Sequence, residues 1–209
     1  MNKTHITIIF LAILGLVVTA FGVEGEDKTS AAKVQKATFA GGCFWCMQPP
    51  FDRAPGVIST VVGYTGGTTK NPTYEEVSSG RTEHAESIEI TFDPTKISYD
   101  QLLDIFWRNI DPTTPNRQFA DVGTQYRTAI FYHGEEQKKL ALESKRKLNQ
   151  SGKFDSPIAT EIVPASTFYP AEEYHQKYYL KNSAHYKAYR KGSGREGYLK
   201  KTWGDEAEH

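Results

Sequence analysis

The chain has 209 residues, enough for one domain with a substantial hydrophobic core. Basic and acidic residues number 25 each, so the formal net charge is zero, which argues against a nucleic-acid-binding protein held by phosphate contacts. Hydrophobic residues make up 38% and aromatic residues 12%, a composition that is typical of a globular domain and excludes a wholly disordered chain.

The first residues have the pattern of a targeting segment. Lys3 precedes an uncharged apolar run at residues 6–23, and small residues at Ala20 and Gly22 offer a cleavage site. We interpret residues 1–23 as a signal peptide or, because the run is just long enough to span a bilayer, as a membrane anchor. Both interpretations predict a protein that works outside the cytoplasm, either periplasmic or extracellular, or anchored to the membrane and facing outward.

Residues 24–34 are predicted to be a linker and residues 35–191 a single catalytic domain. Strands are predicted for KVQKATFA, GVISTVVGY, SIEITF, RTAIFYH and IATEIVPA, which are β-branched or alternate between apolar and polar residues. Helices are predicted for SYDQLLDIFWRNI, where Ser98 and Gln101 match a capping box, and for EEQKKLALESKRKLNQSG, ending at Gly152. The interleaved elements predict an α/β (α+β) fold with helices packed on a small sheet.

Three other segments have less regular patterns. CFWCMQPPFD is predicted to open a helical turn that Pro49 and Pro50 limit or reshape, and AEEYHQKYYLKN is predicted to be helical. Residues 192–209 contain a GxGxxG pattern, but no strand precedes it and too few residues follow for a dinucleotide-binding unit. We therefore predict an extended polar tail over 192–209.

The only two cysteines, Cys43 and Cys46, lie three residues apart in GGCFWC. A disulfide that closes so short a loop constrains little of the unfolded chain, so a purely structural role is a weak explanation. Zinc sites use four ligands, commonly in two close pairs, and the histidines here are scattered, so no metal is expected. A thiol that follows two glycines at the start of a helix faces N–H groups, which predicts a lowered pKa for Cys43 and a nucleophilic role. Cys46, one turn later, is close enough to react with an oxidised Cys43.

The neighbouring residues supply further candidates. Phe44 and Trp45 suit a methyl or thioether group, although either could simply belong to the core. Glu86 shares a strand face with the apolar residues of SIEITF by the period of two, so a buried carboxyl with a raised pKa could act as a general acid. The alternative is that Glu86 is solvated at the entrance of the strand. Tyr74 and Tyr126 carry hydroxyls that could bind a polar oxygen, but a single tyrosine is more often a core residue.

Taken together, these residues resemble the A-type peptide methionine sulfoxide reductases. The motifs that carry the resemblance cover residues 35–185 in the family's order: GCFWC, GYTGG, NPTYEEV, HAESIEITFDP, DVGTQYRTAIFY and AEEYHQKYY. The resemblance implies a two-layer sandwich of helices on a mixed sheet, with a ferredoxin-like core. It implies an oxidoreductase for protein repair under oxidative stress, with no metal and no organic cofactor.

The resemblance also implies a role for each candidate. Cys43 would attack the sulfur of methionine S-sulfoxide, free or in proteins, while Glu86 would protonate its oxygen. The other site residues would bind the substrate. Tyr74 and Tyr126 would hold the sulfoxide oxygen by hydrogen bonds from their hydroxyls, and Asp121 would orient the polar end of the pocket. Phe44 and Trp45 would enclose the S-methyl group. Cys46 would convert the resulting sulfenic acid into a disulfide, which a thioredoxin-like dithiol would reduce.

Two departures from the family pattern are visible. The tail has no recycling cysteine, so Cys46 is the only candidate for that role, and Gln48 stands where a glutamate is common. We expect Gln48 to be structural and the protein to be a monomer, with membrane attachment only through residues 6–23. Two alternatives share some of these features: a general thiol–disulfide oxidoreductase, which needs only the cysteine pair, and a non-catalytic methionine-binding module, which would not need Cys46.

Overall fold

The chain is built around a six-stranded mixed sheet, described here from a computed structural model that covers residues 34–204 together with Met1. Its strands are β1 Gln35–Gly41, β2 Val57–Thr65, β3 Ala85–Phe92, β6 Thr128–Tyr132, β7 Glu161–Pro164 and β8 Tyr169–Pro170. A separate antiparallel pair is formed by β4 Arg117–Gln118 and β5 Asp121–Val122. The sheet order is β7-β6-β1-β3-β2-β8, and all neighbours are antiparallel except the parallel pair β6 and β7.

The helices of the described residues fall between and after these strands. They are α1 Phe44–Asp52, α2 Tyr74–Ser78, α3 Tyr99–Arg108, α4 Glu135–Gln150, α5 Tyr178–Lys181, α6 Ser183–Gly192 and α7 Arg195–Trp203. The succession β1-α1-β2-β3-α3-β6, with spatial order β6-β1-β3-β2, is the ferredoxin-like arrangement. This confirms the predicted α+β sandwich on a mixed sheet.

One face of the sheet forms the main core with the helices. Phe39 of β1 stacks on Phe51 of α1 and on Phe106 of α3, with ring centroids 5.6 Å and 5.0 Å apart. The buried β3 residues Ile88 and Ile90 lie in the same cluster. Glu86, two residues before Ile88, shares their face by the strand period of two, so the core packing carries its carboxyl toward α1.

The predicted capping box begins α3. Gln101 N donates to Ser98 Oγ at 3.2 Å, and Ser98 N donates to Gln101 Oε1 at 2.9 Å. A second box, between Thr73 and Glu76, begins α2 and places Tyr74 at its first helical position. Both caps satisfy N–H groups that the first turn of a helix leaves without partners.

Two helix predictions need correction. Helix α1 continues through Pro49 and Pro50 to Asp52. The two prolines remove only two backbone N–H donors, both in the last turn of the helix. Arg53 N still closes that turn by donating to Pro49 O at 3.3 Å. The segment AEEYHQKYYLKN is not one helix, since Lys177 adopts a left-handed conformation with φ +53°. It separates a 3₁₀ turn at Glu173–His175 from α5.

The prediction of an extended tail over 192–209 is wrong for the residues that the structure covers there. Gly192 ends α6, Gly194 turns the chain with φ +86°, and α7 follows. Arg195 and Leu199 of α7 are each only 1% exposed. The polar composition predicted solvation, but a buried arginine and one leucine dock this helix on the domain.

The described residues 34–204 belong to one compact unit. Apart from Met1 and Val34, the predicted signal peptide or anchor at 1–23 and the predicted linker at 24–34 lie outside the described residues. In the part of the chain that the structure does describe, no helix has the length and apolar character needed to cross a membrane.

Candidate active site

The site is built where β1 passes into α1 through two glycines. Gly42 has φ +75°, and a Cβ added there would come within 2.4 Å of the Cβ of Gln118. Only glycine fits both constraints without strain. Cys43 follows as the N-cap residue of α1, and its carbonyl accepts a hydrogen bond from Cys46 N at 3.0 Å. The strand end and the glycine turn thus fix the position of the first thiol.

We expect Gly42→Ala to destabilise the protein by about 2–4 kcal/mol, because the added Cβ combines a left-handed φ with a clash against a buried side chain. Chemical denaturation of the reduced protein measures this change. Gly197→Ala is the matched control, since a Cβ at this helical glycine meets nothing within 4 Å and should stabilise by a few tenths of a kcal/mol to about 1 kcal/mol. Equal effects of the two substitutions would contradict the argument.

A small cavity of about 80 Å³ opens at Cys43. Seven of the eight predicted site residues line it, together with one that the sequence did not single out: Cys43, Phe44, Trp45, Tyr74, Glu86, Asp121, Tyr126 and Tyr189. Cys46 is not among the lining residues and is fully buried behind them. Since cavities for drug-sized ligands reach about 300 Å³ or more, this one suits the end of a single side chain.

Glu86 lies inside the protein, only 2% exposed, so the structure excludes the alternative of a solvated carboxylate. Its Oε2 accepts a hydrogen bond from Phe44 N, the first helical N–H after Cys43, at 3.0 Å. Burial raises the pKa of Glu86 to about 8, and the Phe44 hydrogen bond only partly offsets that rise. A carboxyl with this pKa is mostly protonated at pH 7, which suits a proton donor.

The prediction of a lowered pKa for Cys43 is wrong. Burial raises the pKa of the Cys43 thiol well above its usual value, and the nearby Cys46 and Glu86 raise it further. The pKa of Cys46 is instead lowered to about 7, chiefly by a hydrogen bond with the Cys43 thiol. The helix start does supply N–H groups, but desolvation of a thiol that is only 6% exposed outweighs them.

The apolar wall of the cavity is held by residues far along the chain. Trp45 stacks on Tyr178, with centroids 3.8 Å apart and planes 8° from parallel, and its Nε1 donates to His175 Nδ1 at 3.0 Å. The His175 ring also lies 5.0 Å from that of Phe44 and 4.4 Å from that of Tyr74. Burial lowers the pKa of His175, so this ring stays neutral among the aromatic residues.

The two predicted tyrosines reach the cavity from separate segments. Tyr74 N donates to Glu172 Oε1 at 2.9 Å, and Tyr126 follows Gln125, whose Nε2 donates to Ser78 O at 2.9 Å. Burial raises the pKa of both tyrosines. Their hydroxyls therefore remain protonated and can donate hydrogen bonds to a substrate oxygen.

Tyr189 of α6 completes the polar side, and the sequence analysis missed it. Its Oη donates to Asp121 Oδ2, and its hydroxyl also forms a hydrogen bond with the Cys43 thiol. The signal in the sequence is the spacing of Tyr186 and Tyr189 in HYKAYRKG, which puts both tyrosines on the same side of a helix. That signal is weak, because tyrosines at helical spacing usually belong to a core.

Gln48 is fully buried and structural, as expected. Its Nε2 donates to Thr60 Oγ1 at 3.0 Å, and its Oε1 accepts from Lys177 N at 2.8 Å. The nitrogen and the oxygen of this one side-chain amide thus join α1 to β2 and to the segment before α5. Among residues 34–204, no group of three or more His, Cys, Asp or Glu side chains is arranged to hold a metal ion.

Comparison with known proteins gives consistent results. A family model described as "Peptide methionine sulfoxide reductase" matches residues 35–207. The chain is 58% identical over 174 residues to peptide methionine sulfoxide reductase MsrA of Bacillus licheniformis, covering 83% of this chain and 96% of that protein.

Solved structures of the same kind are similar in fold. The reduced form of Mxr1 from Saccharomyces cerevisiae matches with a TM-score of 0.69 and 35% identity, over 73% of this chain and 88% of that one. Mxr1 in complex with Trx2 matches with a TM-score of 0.51 and 27% identity, over 74% of this chain and 91% of that one.

Proposed function

This chain belongs to the peptide methionine sulfoxide reductase family, and we propose that the cavity at Cys43 is where it carries out that chemistry. The protein is a thiol-dependent enzyme that reduces methionine S-sulfoxide to methionine. One observation supports the assignment of the site above all others. A buried carboxyl with a pKa of about 8 and a buried thiol line the same cavity, which has room for the end of one side chain.

In the first step, Cys43 Sγ attacks the sulfoxide sulfur while Glu86 gives its proton to the sulfoxide oxygen. Transfer of the hydroxyl group to Sγ then breaks the original sulfur–oxygen bond, and the Cys43 thiol proton returns to the Glu86 carboxylate. The sulfur–sulfur bond formed in the attack breaks as methionine leaves, and Cys43 becomes a sulfenic acid. The substrate sulfur is reduced by two electrons and the cysteine sulfur is oxidised by two, so no other reactant is needed.

Substrate placement follows from the two sides of the cavity. Phe44 and Trp45 form the apolar side and would enclose the S-methyl group, while the hydroxyls of Tyr74 and Tyr126 would donate to the oxygen. Asp121 would act through Tyr189, to which it is hydrogen-bonded, and so orient the polar side. With the rest of the substrate chain leading out of the cavity and the sulfur facing Cys43, an oxygen toward the tyrosines and a methyl toward the aromatic rings would admit one handedness of the sulfoxide.

Cys46 is proposed to resolve the sulfenic acid. Both cysteines are free in this structure, and Cys46 lies one helical turn after Cys43. Attack by Cys46 on the sulfenic sulfur forms the disulfide and releases water. A thioredoxin-like dithiol would then reduce the disulfide by exchange, a proposal supported by the described complex of the yeast relative Mxr1 with Trx2.

Single-turnover reduction of the separated methionine sulfoxide epimers tests this assignment. We expect reduced wild-type protein to consume only the S epimer and to lose two thiols for each methionine formed. Cys46→Ser should form one methionine and stop at a sulfenic acid, which a sulfenic-acid probe would label. Methionine formation without thiol loss would refute the mechanism.

The same experiment separates the alternatives. Reduction of a model disulfide with no turnover of either epimer would favour a general thiol–disulfide oxidoreductase. Binding of the sulfoxide without turnover, even when dithiol is supplied, would favour a methionine-binding module. In either case the roles given to Glu86 and the two tyrosines would be withdrawn.

We also propose that the enzyme is exported. The support is the apolar run at residues 6–23 with Lys3 before it, a segment outside the described residues. Cell fractionation and the mass of the mature N-terminus test this proposal. Loss of residues 1–23 from a protein recovered outside the cytoplasm would establish a signal peptide, and an intact N-terminus in the membrane fraction would establish an anchor.

A further inference from the structure

Arg195 is a buried cation for which the mechanism so far has no use. Its side chain is among the largest that are fully buried, with the residue only 1% exposed. Nη1 donates to Asn109 O at 2.6 Å, and Nη2 donates to Gly41 O at 2.9 Å. Burying a guanidinium charge is costly unless it is well hydrogen-bonded and an opposite charge is near. A compensating anion is therefore expected close to Arg195.

The other contacts of Arg195 are uncharged as well. Nη1 lies 3.6 Å from Met47 Sδ, and the guanidinium lies 4.7 Å from the centroid of the Phe119 ring. Among residues 34–204, the polar partners of this guanidinium are two carbonyls and a thioether, and none is a carboxylate. Glu86 is near enough to interact with the charge, but its raised pKa keeps it mostly neutral at pH 7.

The position of the guanidinium points to the cysteine pair. Gly41 is two residues before Cys43, and Met47 directly follows Cys46. Gly42 lies between Gly41 and Cys43, and a Cβ added to it would come within 3.1 Å of Arg195 Nη2. The cation therefore contacts the residues that flank the cysteine pair, Gly41 on one side and Met47 on the other, and its charge acts on the buried Cys46.

We propose that Arg195 is a positioning residue for the resolving step, and that its buried charge stabilises Cys46 as a thiolate. The proposal rests on the resolving role already proposed for Cys46. In that step the Cys46 thiolate attacks the sulfenic sulfur of Cys43, a sulfur–sulfur bond forms and the sulfur–oxygen bond breaks. The oxygen leaves as hydroxide and takes up the proton that Cys46 had lost, giving water. The Cys46 sulfur is oxidised by one electron and the sulfenic sulfur of Cys43 is reduced by one, so the electrons balance.

Several groups act on the ionisation of Cys46, and they come from the four elements β3, β5, α6 and α7 and from the N-cap of α1. The titratable and charged groups concerned are Cys43, Glu86, Asp121, Tyr186, Arg190 and Arg195. Asp121 opposes a thiolate, and the Cys43 thiol favours it by a hydrogen bond. Arg190 is partly exposed, so water screens its charge, whereas the buried charge of Arg195 is screened much less. Arg195 should therefore be the cation with the larger effect.

Ultraviolet titration of the thiolate tests the proposal directly. In full-length protein carrying Cys43→Ser, Cys46 is the only cysteine, so the absorbance change below about pH 9, where the twelve tyrosines stay protonated, reports its ionisation. We compare Arg195→Gln, Arg195→Met and Arg195→Lys in this background. The two neutral variants should raise the titration midpoint by about one pH unit or more, which is a tenfold loss of thiolate at a given pH below the midpoint. Arg195→Lys keeps the charge and should stay close to the parent.

Thermal melting of each variant separates this effect from simple destabilisation. Arg195→Gln retains N–H donors for the two carbonyls and is the neutral variant expected to fold, and one folded neutral variant is enough for the comparison. An unchanged midpoint together with a lower melting temperature would overturn the proposal and leave Arg195 with a structural role. No sulfoxide is present in this titration, so such a result would not bear on the reductase function itself.

Discussion

Glu86→Gln is expected to slow single-turnover methionine formation by a factor of about 10² to 10⁴, the usual contribution of a positioned general acid. Glutamine has nearly the shape of glutamic acid and can still accept the hydrogen bond from Phe44 N. It cannot give a proton to the sulfoxide oxygen, which must leave the substrate sulfur as a hydroxyl group. The loss should therefore appear in the rate of the chemical step, with little change in substrate affinity.

The pH profile gives this prediction a second, independent readout. The carboxyl must be protonated to act, and burial raises the pKa of Glu86 to about 8. The rate of the first step should therefore be limited on the alkaline side, falling as the pH rises through about 8. The Glu86→Gln variant should lack that fall, because glutamine does not titrate.

Glu89→Gln is the matched control for the acid. Glu89 lies on the same strand β3 but on the opposite face, where it pairs with Lys36 at 2.8 Å. Removing this partly exposed carboxyl should change the rate by less than about twofold, since exposed ion pairs contribute little. If Glu86→Gln were as mild as Glu89→Gln, the proton would have to come from another group, and Glu86 would be no more than a polar wall of the cavity.

The position of Glu86 shows what a single sequence can predict well. The period of two along SIEITF determines which side chains share a face, and burial of Ile88 and Ile90 on the core then requires burial of Glu86. The same local logic predicted the capping box of α3 and the strand that ends at Gly41. These predictions succeed because they depend on residues that are neighbours in the chain.

The properties that the sequence did not predict depend on distant residues. Burial raises the pKa of Cys43, and the cluster around it includes Tyr186 and Tyr189 of α6, about 145 positions further along the chain. Arg195 belongs to a segment whose polar composition predicted solvation, and its burial follows only from docking against Gly41 and Asn109. In the sequence, His175 is one of several scattered histidines. In the fold it lies between Trp45 and Tyr74. Composition and periodicity do not contain such contacts.

The two thiols present a conflict that one substitution resolves. Ionisation alone favours Cys46 as the attacking group, because its pKa is lowered to about 7 while that of Cys43 is raised. Geometry favours Cys43, which lines the cavity, whereas Cys46 is fully buried and does not. Access outweighs ionisation, because a thiolate that the sulfoxide cannot touch does not react, however large its population.

Cys43→Ser is therefore expected to abolish methionine formation, lowering the single-turnover rate by about 10⁴-fold or more. Serine keeps a hydroxyl in place of the thiol, but accepting the sulfoxide oxygen would require an oxygen–oxygen bond, which is too unstable to form here. Cys46→Ser in the same assay should retain the first turnover, and sulfoxide binding by Cys43→Ser should survive because the rest of the cavity is unchanged. Retained methionine formation in Cys43→Ser would mean that Cys46 reaches the substrate after all. In that case the cavity would have to open beyond the arrangement described for α1 and α6, and the roles of the two cysteines would exchange.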